Sequence, residues 1–118
     1  MNRRTATVLA AVLVLFVVIG GYVVYRQTGG GGQSLTFSLA VKGSTMTPEH
    51  LEARQGDDIT IELTADRAEE IHLHGFDLKF KAEPGKTVRK TFKADRTCSC
   101  DIEIEDTGTH LGELTVRP

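Results

Sequence analysis

The chain has 118 residues, 40% of them hydrophobic, with a formal net charge of −2, two cysteines and no tryptophan. That length accommodates one small domain and a membrane-spanning segment. No basic cluster marks the chain, which argues against a nucleic-acid partner.

In chain order, Arg3 and Arg4 precede an apolar run. From Ala6 to Tyr25 every residue but Thr7 is apolar or glycine, and only Arg26 follows closely. A helix of about 20 such residues crosses a bilayer core of about 30 Å. The positive-inside rule then assigns residues 1–5 to the cytoplasm, 6–25 to a transmembrane signal anchor, and everything after it to the extracytoplasmic side of the cell membrane. A cleaved secretory signal is the competing reading. The run is longer than the roughly 7–15 residues of a signal core, and no A-x-A site follows it. With three arginines flanking the anchor, the exported part is moderately acidic.

Residues 26–34, RQTGGGGQS, read as a flexible Gly-rich linker. The folded domain is expected over 35–118, and its signals are those of β-structure. Leu35, Phe37, Leu39 and Val41 alternate with polar residues or Ala. Leu51 and Ala53 mark a short strand before the turn Gln55-Gly56-Asp57. Ile59, Ile61 and Leu63 alternate again. Ile71 and Leu73 follow a polar loop, Gly75 interrupts, and Phe76, Leu78 and Phe80 resume. Glu83-Pro84-Gly85-Lys86 is a turn. Strands follow around Val88 to Phe92, Ile102 to Ile104 and Leu111 to Val116. Seven or eight short strands with regular turns predict an all-β, Greek-key β-sandwich. Phe76, Phe80, Phe92, Ile61 and Leu114 are expected in its core.

The ordered series of motifs resembles the cupredoxin-like superfamily. Thr47-Pro48 followed by Leu51-Glu52-Ala53-Arg54-Gln55-Gly56-Asp57 is similar to that superfamily's opening pattern. Glu70-Ile71-His72-Leu73-His74-Gly75-Phe76-Asp77 resembles the H-x-H-G-[FY]-D strand of small EfeO-like cupredoxin domains. Pro84-Gly85 with Thr91-Phe92-Lys93-Ala94-Asp95, and Leu111-Gly112-Glu113-Leu114-Thr115-Val116, resemble the hairpin and the terminal strand. The match covers nearly all of the exported domain. It implies the Greek-key sandwich, and copper as a ligand. The sequence departs from the blue-copper pattern. Glu105 or Asp106 stands where the thiolate ligand would be, and no Met follows His110. Thiolate and thioether are what tune an electron-transfer copper, so no such centre is expected.

The resemblance makes His74 the first candidate metal ligand, with His72 two residues earlier and His110 from a loop expected at the same end of the sandwich. Glu105 or Asp106 would complete a nitrogen–oxygen site suited to Cu(II) or Zn(II). The alternation itself offers the plainer reading. With Ile71 and Leu73 facing the core, His72 and His74 would be ordinary solvated residues of an outer face. His50 and Met46 are weaker candidates, the one an exposed loop residue, the other core filler. Cys98 and Cys100 form a C-x-C pair. Outside the cytoplasm it is read as a disulfide, within or between chains, with a second soft-metal or redox site as the alternative. Strand length places this pair at the end of the sandwich away from the histidines.

No nucleophile–base pair, G-x-S-x-G or phosphate loop is present, so the protein is not read as an enzyme. The reading is a membrane-tethered, extracytoplasmic cupredoxin-like domain that binds a transition metal, copper first, for trafficking or uptake. The alternative is a metal-free cupredoxin-like module that contacts a partner in a membrane complex.

Overall fold

The computed structural model describes residues 32–118. The expected cytoplasmic segment, the anchor over 6–25 and most of the linker lie outside the described residues. Within them the chain forms nine strands: β1 (Ser34–Lys42), β2 (Thr45–Thr47), β3 (His50–Arg54), β4 (Asp58–Ala65), β5 (Glu69–Leu73), β6 (Leu78–Ala82), β7 (Val88–Lys93), β8 (Cys98–Ile104) and β9 (Thr109–Arg117).

The strands form two sheets. One has the order β2-β1-β4-β7, the other β3-β9-β8-β5-β6. Pairing is antiparallel except for β1 with β4 and β3 with β9, which run parallel. The chain crosses between sheets after β2, β3, β4, β6 and β7, which makes a sandwich in place of a simple meander. Strand β2 carries little hydrophobic signal. Its register against Ala40–Lys42 follows the tight turn at Gly43, where φ is 57°.

Alternation decides which face each residue takes. In β1 the inward Leu35, Phe37, Leu39 and Val41 are buried and the intervening residues are not. The same period carries Ile59, Ile61 and Leu63 in β4, Ile71 and Leu73 in β5, and Ile102 and Ile104 in β8 into the core. Each fully buried side chain of this size contributes roughly 1.5–3 kcal/mol by leaving water. Of the expected core residues, Phe80, Ile61 and Leu114 are buried. Phe76 and Phe92 are only half-buried and pack on each other at the rim, their ring centroids 4.9 Å apart. Phe76 follows the chain reversal at Gly75 and Phe92 sits on edge strand β7, so neither has a sheet on both sides.

Among the described residues one charged residue is buried. Asp57 Oδ1 accepts the Gln33 amide at 2.9 Å and Oδ2 the Arg54 amide at 2.8 Å. Charge-assisted bonds from backbone N–H groups offset the loss of hydration. They also tie the start of β1 to the β3–β4 turn.

Candidate metal centre

The site lies on the outer face of the five-stranded sheet. Strand β5 turns Ile71 and Leu73 into the core, so His72 points outward, and His74 follows on the same side just past the strand end. The neighbouring strand β8 buries Ile102 and Ile104, which leaves Asp101 and Glu103 outward and Glu105 just beyond. Register then sets the encounter, since His72 stands directly opposite Glu103. The His74 amide donates to the Asp101 carbonyl at 2.9 Å and continues the contact past the end of the ladder.

The two imidazoles stack in a tilted arrangement, with centroids 4.1 Å apart. His74 Nε2 is 2.5 Å from Glu103 Oε1. His72 Nε2 is 3.1 Å from Asp77 Oδ1. One donor atom from each of His72, His74 and Glu103 falls within a common span of 4.8 Å. That set of two nitrogens and one carboxylate oxygen suits Cu(II) or Zn(II).

His72 is not a solvated strand residue. Its side chain is only 12% exposed, against 43% for His74. Its Nδ1 is buried without a hydrogen bond, although Glu105 Oε2 lies 2.9 Å away. The carboxylate is near enough for ion pairing but off the line of the ring N–H, so proximity does not satisfy the nitrogen. A buried imidazole nitrogen without a hydrogen bond is one that a water or an ion could engage.

Electrostatics favour positive charge here. The hydrogen bond to Glu103 raises the His74 pKa above the usual imidazole value. The charges of Glu103, Asp101 and Glu105 add to that, and partial burial opposes it.

The structure places the other candidates as follows. Glu105 lies beside His72. His110 stands opposite Glu103 on β9, so Glu103 is flanked by His72 on one side and His110 on the other. The His110 imidazole is hydrogen-bonded through Nδ1 to Asp101 and stays outside the three-residue cluster. Asp106 is exposed in the β8–β9 turn. His50, on β3, pairs with Glu113 at 3.3 Å and is largely exposed. Met46 is buried in the core.

Two features escaped the sequence. In the sequence Glu103 only alternates with Ile102 and Ile104 as an outward carboxylate, because its place between two histidines depends on strand order. The cysteines form an intrachain disulfide, one of the two forms expected. The correction is to its place, which is not far from the histidines. A Cβ placed on Gly75 would stand 2.3 Å from Cys100 Sγ and 3.8 Å from Cys98 Sγ. Distance along β8 misled, because the β5–β6 turn carries His74 and Gly75 past Asp101 and back over the cystine.

No protein-family model matches the chain, and no curated protein does. Solved structures do. A heme-copper terminal oxidase dimer determined by cryo-EM supplies a chain with a TM-score of 0.62 at 16% identity, covering 97% of this chain and 98% of that one. The metal binding domain of the Cu(I)-exporting P-type ATPase CopA of Streptococcus pneumoniae D39 gives 0.58 at 14%, covering 80% and 95%. The solution structure of a copper binding protein in its apo form gives 0.56 at 15%, covering 78% and 94%. The fold is cupredoxin-like. At these identities the likeness extends to the fold and no further.

Proposed function

We propose that this protein binds a transition-metal ion, copper first, through His72, His74 and Glu103, as a membrane-tethered extracytoplasmic domain serving metal trafficking or uptake. The observation that carries the reading is the three-residue cluster, in which His72 Nδ1 is buried without a hydrogen bond. Copper takes precedence over zinc because similar solved structures are described as a copper binding protein and the metal binding domain of a Cu(I) exporter. Asp77, at His72 Nε2, is the outer carboxylate that would orient the ring and leave Nδ1 for the ion. Both sulfurs of the cysteine pair are committed to the disulfide, so no thiolate is offered to the ion. The chemistry we propose is binding and handover of the ion, without a blue-copper electron-transfer centre. The apolar run over 6–25 supports the tether.

Cu(II) added to the purified full-length protein should bind with a weak d–d absorption and a type 2 paramagnetic-resonance spectrum showing nitrogen hyperfine structure. His74→Ala and His72→Ala should each abolish that spectrum at micromolar copper. Binding that survives both substitutions, or no binding in the parent, favours the metal-free module that contacts a membrane partner.

A further inference from the structure

The cystine has no evident structural task. Cys98 and Cys100 both lie in β8 and face inward from it. A bridge across one intervening residue closes a minimal loop, and short loops remove the least entropy from the unfolded chain. It joins no two elements. What it does touch is the metal cluster's support. Cys100 Sγ occupies the space that any side chain at position 75 would need, and Gly75, with φ of 86°, is bonded directly to His74. On the other side of Cys100, Asp101 supplies the carbonyl that holds the His74 amide. Glu103, the carboxylate of the cluster, is on the same strand.

We propose that Cys98–Cys100 is a redox-active thiol–disulfide site, and that its state sets the position of His74 and hence the hold of the cluster on a metal. The second half rests on the metal reading above. The reductant is an external dithiol. Its thiolate attacks Cys98 Sγ, the half-buried member of the pair, while Cys100 is buried. The S–S bond breaks, and Cys100 leaves as a thiolate and takes a proton. The second external thiol then resolves the mixed disulfide and leaves as the external disulfide, releasing Cys98. The Leu114 carbonyl oxygen, 4.0 Å from Cys98 Sγ, is in place to accept the new S–H.

The bridge holds the two Cα atoms 5.4 Å apart, whereas two residues of ordinary strand span about 6.6 Å. Once reduced, the sulfurs separate to non-bonded contact and β8 can extend. Cys100 Sγ has Gly75 against it, so the displacement passes to the turn that carries His74. The oxidised form is the one that holds His72, His74 and Glu103 together.

The test uses the full chain in detergent micelles. Dithiothreitol followed by an alkylating reagent should add two labels per chain without denaturant. In the metal-free protein, reduction should shift the amide resonances of His74, Gly75 and Phe76 and leave those of His50 and Glu113 in place. The Cys98→Ser/Cys100→Ser variant mimics the open form without offering a soft ligand. It should bind Zn(II) about tenfold more weakly than the oxidised parent. A disulfide that resists reduction until the protein unfolds overturns the proposal, and so do turn resonances that do not respond or equal zinc affinities in the two proteins. Absence of zinc binding in both overturns the metal reading alone, and the resonances of the turn then decide the coupling.

Discussion

The two sheets bury similar inner faces and present different outer ones. On the four-stranded sheet, β4 and β7 meet in register through Asp58 with Lys93, Thr60 with Thr91, and Glu62 with Arg89. Its strands contain no histidine. All four histidines of the chain project from the outer side of the five-stranded sheet, each beside a carboxylate: His50 with Glu113, His72 with Asp77 and Glu105, His74 with Glu103, His110 with Asp101. Carboxylates are common to both faces, so acidity does not distinguish them. The partner cation does. Protonated lysine and arginine have no lone pair to give, whereas an imidazole that loses its proton becomes a donor. The strands of the four-stranded sheet offer no imidazole donor, and the five-stranded sheet presents four.

The largest expected effect lies beneath this contrast. Phe80 is buried under the five-stranded sheet, opposite Ile71 of the histidine strand, while Phe92 lies half-buried at the edge of the other sheet. Phe80→Ala should cost about 3–5 kcal/mol and Phe92→Ala clearly less, as read by urea unfolding. Equal losses would show that the two sheets share the core evenly and that the edge position of Phe92 does not matter. Next in size are the ligands. His74→Ala should weaken Cu(II) binding by about a hundredfold, or roughly 2.7 kcal/mol, in a competition titration. His50→Ala should change it little, because His50 lies across the sheet with Glu113.

The acid dependence sharpens the comparison further. Because the Glu103 hydrogen bond raises the His74 pKa, the pair stabilises the metal-free fold fully below the usual imidazole value of about 6.5. That contribution is lost as pH rises through the elevated value. Metal binding runs the other way, since the ligand must be neutral. Copper affinity should therefore begin to fall at a pH above 6.5 as acid is added. Glu103→Gln should move the His74 titration, followed by its ring proton resonances, back toward the ordinary value. An unmoved titration would mean that the histidine face owes its character to something other than the imidazole–carboxylate pairs.

Much of this was legible in the chain itself. Period-2 alternation marked out β1, β4, β5 and β8, and the inward placement of Ile71 and Leu73 already put both histidines on the outer face. Local pattern could not reveal which strand lies beside β5. Glu103 joins the cluster because β8 is that neighbour, in a register that brings residue 103 opposite residue 72. Non-local pairing of this kind has no signature within a short window. The same limit hid the cystine under Gly75, where two segments far apart in the chain meet through a glycine that has no side chain to exclude the sulfur. Phe76 and Phe92 lie at the rim and not in the core for a related reason, since hydrophobicity signals burial but does not tell an edge strand from a central one. The short β2 escaped because Thr45 and Thr47 are exposed and only Met46 points inward.

The smallest expected effect closes the comparison from the other side. Glu62 and Arg89 approach to 3.9 Å, with Arg89 well exposed, and Asp58 and Lys93 to 3.2 Å under similar exposure. Solvated pairs of this kind contribute about 0.2–1 kcal/mol, because water screens the attraction and two long side chains must be ordered. Arg89→Ala should shift the unfolding midpoint slightly, and the shift should shrink further in high salt. It should leave copper affinity and the His74 titration where they were. Removing the arginine frees Glu62 but supplies no nitrogen donor, and a lone exposed carboxylate does not make a copper site. If Arg89→Ala created a second bound copper, the imidazoles would not be what separates the two faces, and acidity would have to take their place in the argument.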